Sequence, residues 1–174
     1  MLTQPKLMEF LQRIGAKART EGRCYLTGGT SAVLIGWRDS TVDIDLKFDP
    51  EPEGVFEAIP QLKRDLSVNI ELAAPDNFIP AVPGWKERSR LVGKFSRIEV
   101  FHYDFVGQAL AKISRGHGRD IEDVKQMVRK GLITSAAIRQ GFEAIRPNLI
   151  RYPSLDEEAF SNKVQTLLKV LENV

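Results

Sequence analysis

Two hydrophobic periods alternate along the chain. Leu7, Phe10, Leu11 and Ile14 recur at helical spacing and predict a helix, closed by basic residues over 17–23 before Gly22 breaks the pattern. Tyr25 and Leu26 begin a short apolar strand, Gly28 and Gly29 turn it, and Ala32 to Ile35 read as a helix. Residues 41–48 have the period of a strand: Val42, Ile44 and Leu46 face a core, while Asp43 and Asp45 share the opposite face. Residues 49–54 form a proline-rich turn. The spacing then predicts a helix over 55–66, with Phe56, Ile59 and Leu62 on its apolar side and Pro60 interrupting it.

The second half continues in the same manner. Over 67–73, Val68, Ile70 and Leu72 alternate with Asn69 and Glu71 as in a strand. Residues 74–93 read as an ordered loop, because Phe78, Ile79, Val82 and Trp85 are too apolar for a linker, and a hairpin follows over 90–94 and 97–103. Phe105, Ala109, Leu110 and Ile113 predict a helix carrying Lys112. After a glycine-rich turn at His117, Asp120 is placed as the N-cap of the next helix, with Asp123 one turn on. Helices are predicted over 133–145, starting at Thr134, and over 155–174, where Ser154 and Glu157 have capping-box spacing. The expected fold class is α/β (α+β): a small mixed twisted sheet flanked by helices over 1–128, with a C-terminal helical appendage over 129–174.

Composition narrows the setting. With 174 residues, 43% of them hydrophobic, the chain has enough material for a buried core. No apolar run approaches membrane-spanning length, and the first ten residues lack the plan of a signal peptide, so a cytoplasmic protein with no membrane partner is expected. The lone Cys24 excludes an internal disulfide and fits a small buried residue. A formal charge of +2 does not argue for nucleic acid; the local clusters, such as Lys86, Arg88, Arg90 and Lys94, read as solvated faces or as a basic rim. His102 and His117 have no zinc-site spacing and read as structural.

The chemistry concentrates in residues 25–48. Two carboxylates on one strand face repel unless a cation sits between them, and a cluster of hard oxygen ligands suits Mg²⁺ or Mn²⁺, with Asp43 and Asp45 as ligands. Gly28 and Gly29 let backbone N–H groups approach an anion, with Thr30 beside them, and the following helix N-terminus adds partial positive charge. Arg38 lies between turn and strand, and its guanidinium fork matches phosphate oxygens. The order describes a site for a metal-bound polyphosphate. Its bland counterpart is a glycine turn followed by a solvated acidic pair.

Gly28-Gly29, a helix-length gap and Asp43-Ile44-Asp45-Leu46 resemble the signature of the nucleotidyltransferase (polymerase beta-like) superfamily. The fuller string, Gly-Gly-Thr through Arg38, Thr41 and Asp-Ile-Asp, is most similar to minimal bacterial nucleotidyltransferases of the AbiEii and MenT toxin type. The resemblance implies a nucleotidyltransferase fold, a nucleoside triphosphate as substrate, and a third carboxylate on a strand beside Asp43 and Asp45. Glu71 is the first candidate, with Glu99 and Asp104 in reserve. Lys112 followed by Arg119, Asp120 and Asp123 resembles a pattern in which the lysine faces the triphosphate; an inter-helix ion pair of Lys112 with Asp123 is the structural alternative. The implied reaction is two-metal transfer of a nucleoside monophosphate to a hydroxyl of RNA, such as tRNA, or of protein, in a toxin–antitoxin or phage-defence setting with a cognate antitoxin. A degenerate nucleotide-binding module and an antibiotic-type adenylyltransferase are the alternatives.

Overall fold

The architecture is taken from a computed structural model, which describes residues 1–173. Val174, the last residue of the predicted C-terminal helix, lies outside them. The described residues form eight α-helices and one five-stranded mixed sheet, and they group into two compact units.

The first unit, residues 1–74 and 89–103, holds the sheet. Its elements are α1 (Gln4–Lys17), β1 (Gly22–Thr27), α2 (Gly28–Ile35), β2 (Asp43–Phe48), α3 (Val55–Leu66), β3 (Asn69–Glu71), β4 (Arg90–Phe95) and β5 (Ile98–His102). The strand order is β3-β2-β1-β5-β4; β1 runs antiparallel to β2 and parallel to β5, and β2 runs parallel to β3. Both parallel pairs require crossovers, the β2–β3 crossover being made by α3.

Period-two alternation builds the core. Cys24, Leu26, Ile44, Leu46, Ile70, Ile98 and Val100 leave one sheet face and are buried with Leu7, Phe10, Leu11 and Ile14 of α1 and Ile59 and Leu62 of α3. Burial pushes the Cys24 thiol well above its ordinary pKa, so it stays a neutral packing residue. Two expected core residues are corrected. Val42 precedes the first paired residue of β2 and is largely exposed. In α3 the buried stripe is Val55, Ile59, Leu62 and Leu66, which leaves Phe56 one step off the stripe and facing solvent. Pro60 lies inside this helix on its exposed side, away from the buried stripe.

The second unit, residues 75–88 and 104–173, is helical: α4 (Trp85–Arg88), α5 (Phe105–Arg115), α6 (Gly118–Arg129), α7 (Ser135–Ile145) and α8 (Glu157–Leu171). Phe105, Ala109, Leu110 and Ile113 of α5 are buried there with Ile138 and Phe142 of α7 and Phe160 of α8, whose ring meets Phe142 edge-on at 4.9 Å. Gly141 allows α7 to approach Val106 and Leu110 closely. Thr134 caps α7 as expected, accepting from the Ala137 N–H. Two other caps differ from expectation. His117, not Asp120, is the N-cap of α6, and Asp156, not Ser154, caps α8 by accepting from the Ala159 N–H. In each case an alternative start lay two or three residues away, and tertiary packing chose between them.

Candidate functional site

The edge of β1 leads directly into the glycine turn. Gly28, with φ of 62°, takes the left-handed conformation that lets the chain leave β1 and enter α2 without an intervening loop. The space a side chain would fill there belongs to Asp45, whose Oδ2 lies 3.0 Å from the position of a Cβ on Gly28. At Gly29 a methyl group would overlap the Thr41 hydroxyl and come within 3.3 Å of Arg38 Nη1. The glycine pair thus admits Asp45 on one side and Thr41 with Arg38 on the other.

The backbone of β2 is tied to the same turn. Thr30 Oγ1 accepts from the Asp45 N–H at 3.3 Å and donates to the Asp43 carbonyl at 3.4 Å. Thr30 is buried, so its hydroxyl positions the acidic strand, and what it offers an anion is the backbone N–H of the first helical turn. Gly29 and Thr30 lie in that turn, where backbone N–H groups have no partner within the helix.

Asp43 and Asp45 project from one face of β2 and are half-buried. The parallel register sets Asp43 beside Asn69 and Asp45 beside Glu71, so Glu71 stands on the carboxylate face next to Asp45. Asn69 Nδ2 lies 3.0 Å from Asp43 Oδ1 and 3.1 Å from Glu71 Oε1. The reserve acids have other partners. Glu99 is in register with Arg23, four β1 residues from Thr27, the partner of Asp45; at the strand rise that is roughly 13 Å, and Glu99 pairs with Arg23 instead. Asp104 is a buried N-cap of α5, accepting from the Val106 and Gly107 N–H groups and from Arg88 in a two-pronged ion pair.

Lys112 is in the helical unit and buried. Its ammonium donates to Asp123 at 2.8 Å and lies 3.6 Å from Asp120, which Arg115 approaches at 2.7 Å. Two cations and two carboxylates balance there.

Behind the glycine turn lies a buried pair that periodicity did not reveal. Ser31 Oγ donates to the Leu26 carbonyl at 3.2 Å, and His102 Nδ1 stands 3.0 Å from Ser31 Oγ, which ties α2 to both β1 and β5. Burial, with Arg90 nearby, lowers the His102 pKa from the ordinary 6.5 to about 4. The folded protein therefore refuses a proton that the unfolded chain takes up below pH 6.5. Stability is full above that value and is lost as the pH falls toward 4, by on the order of 3 kcal/mol. Urea unfolding from pH 7.5 to 4.5 should show this slope in the wild type and a shallower one in His102→Asn.

Among the described residues no three His, Cys, Asp or Glu side chains are already gathered as a metal cage. Mg²⁺ does not ask for one: it binds through one or two carboxylates, substrate phosphates and water, and the oxygen donors of Asp43 and Asp45 fit that requirement.

The mixed sheet, with a Gly-Gly turn opening a helix against an Asp-x-Asp strand, is consistent with a nucleotidyltransferase-like fold. Residues 5–142 match the family described as "Nucleotidyltransferase of unknown function (DUF6036)", and the chain belongs to that family. No curated protein and no solved structure matches it. No helix among the described residues is long and apolar enough to cross a membrane.

Proposed function

We propose that the protein is a metal-dependent nucleotidyltransferase that moves a nucleoside monophosphate from a nucleoside triphosphate to a hydroxyl of tRNA or protein, releasing pyrophosphate. The observation that carries this reading is the seating of Asp45 against Gly28, which sets an acidic strand beside the N-terminus of a helix. Acid and anion site are adjacent, and a polyphosphate with its cation is the ligand that needs both.

Mg²⁺ or Mn²⁺ would be held by Asp43 and Asp45, and when bound it neutralises phosphate charge and eases ionisation of the attacking hydroxyl. The chain's own groups do the rest. Backbone N–H groups of Gly28, Gly29 and Thr30 bind triphosphate oxygens at the start of α2, and Arg38 beside Gly29 takes a further phosphate edge. Glu71, in register with Asp45, accepts a hydrogen bond from the acceptor hydroxyl, orients it for in-line attack and takes its proton as the new bond to the α-phosphorus forms and the bond to pyrophosphate breaks. Phosphoryl transfer asks mainly for positioning and charge stabilisation, and this constellation supplies both. The likeness of the Gly-Gly-Thr, Arg38, Thr41 and Asp-Ile-Asp string to AbiEii and MenT type toxins supports an acceptor within a toxin–antitoxin or phage-defence pair, with a cognate antitoxin as partner.

The test is incubation of the purified protein with each α-labelled nucleoside triphosphate, Mg²⁺, bulk tRNA and cell lysate, beside Asp43→Ala and Asp45→Ala. Label on one macromolecule, lost in both variants, is the expected result. Triphosphate binding without transfer would make the protein a regulatory binding module, and label on small molecules alone would make it an antibiotic-type enzyme. Neither binding nor label would remove the phosphate site altogether.

A further inference from the structure

Where β2 pairs with β3, the carboxylate face presents three acids, Asp43, Asp45 and Glu71, and one neutral side chain, Asn69. Asn69 precedes Glu71 by two residues on β3 and faces Asp43 across the parallel ladder, so strand geometry alone puts its amide between two carboxylates. It uses that place: the same nitrogen is within hydrogen-bond distance of Asp43 Oδ1 and Glu71 Oε1. A primary amide carries two N–H groups, enough to serve both acceptors at once.

We propose that Asn69 is a positioning residue for the acidic site, holding Asp43 and Glu71 turned toward each other so that a divalent cation meets oriented oxygens. The proposal rests on the metal-dependent reading above. Like charges on one face drive carboxylates apart, and without a donor between them Asp43 and Glu71 would rotate away. Other polar side chains at position 69 would orient less well or change the charge: an aspartate adds a fourth negative charge and no donor, and a lysine brings a cation of its own. The amide orients both acids and leaves the site at the three negative charges of Asp43, Asp45 and Glu71. Hydrogen-bonded partners of metal ligands commonly set affinity by 10–100-fold, so roughly that loss is expected when this donor is removed.

Mn²⁺ binding, followed by electron paramagnetic resonance without nucleotide, tests this in the wild type, Asn69→Ala, Asn69→Leu and Asp43→Asn. Both Asn69 variants should bind Mn²⁺ about 10–100-fold more weakly. Their thermal midpoints should stay within about 2 °C of the wild type, because the side chain is exposed. Leucine fills the space of the amide without donating, so agreement between the two variants assigns the loss to the hydrogen bonds. Wild-type affinity in both variants, with binding lost in Asp43→Asn, would overturn the role of Asn69 and leave the metal reading standing. A drop in affinity that follows a drop in midpoint would make Asn69 structural and likewise overturn it. Absence of Mn²⁺ binding by the wild type, both without nucleotide and with a non-hydrolysable nucleoside triphosphate, would overturn both readings together.

Discussion

Asp45→Asn should leave a folded protein whose nucleotidyl transfer is slower by about 1,000-fold or more, a loss of charge stabilisation at the phosphoryl group. The substitution keeps the shape. Asparagine occupies the volume against Gly28 that the carboxylate fills, and the backbone N–H that donates to Thr30 is untouched. What disappears is one negative charge beside the helix N-terminus. Thermal unfolding should therefore change little, while single-turnover transfer of a labelled nucleotide, measured at saturating triphosphate, should collapse. A variant that keeps more than a tenth of wild-type activity would mean that Asp45 is a neighbour of the reaction and not part of it. Glu71→Gln should be milder, roughly 100-fold, because a glutamine still hydrogen-bonds the hydroxyl but accepts no proton.

The largest effect on stability is expected at Lys112→Met. The ammonium is 5% exposed and lies between Asp123 and Asp120. Methionine fills the same space but takes the ammonium away from buried Asp123, and breaking one side of such a pair costs about 3–5 kcal/mol. For a chain of this length that corresponds to a fall in the unfolding midpoint on the order of 10 °C. Adding Asp123→Leu removes the carboxylate that has lost its lysine, while Asp120 keeps Arg115, so the double variant should regain most of the loss. The double variant also separates the two roles considered for Lys112. A stable protein with wild-type transfer confines the lysine to packing; a stable protein with lost transfer gives it to the triphosphate.

Most of the elements were legible because they depend on local periodicity. The helices over α1, α5 and α7, the strands around Ile44 and Ile70, and the hairpin of β4 and β5 follow from apolar spacing that neighbouring residues impose on one another. Where expectation and structure differ, the competing choices were one to three residues apart. Phe56 and Val55 are adjacent candidates for one helical stripe, and Ser154 and Asp156 are both good caps for α8. Sequence spacing cannot rank such neighbours; burial does.

The sequence by itself determined which groups make up the candidate site: a glycine pair at a strand end, an arginine, and two carboxylates that period two places on one face. These are short-range relations, set by backbone geometry within about twenty residues. The tertiary structure decided which distant residues join them. Parallel pairing of β2 with β3 sets Glu71 beside Asp45 and inserts Asn69 between Asp43 and Glu71. The β1–β5 register sends Glu99 to the far end of the sheet, and the start of α5 commits Asp104 to a cap and an ion pair. Strand register comes from how a whole hydrophobic face is buried, a property of the assembled sheet that no single segment carries.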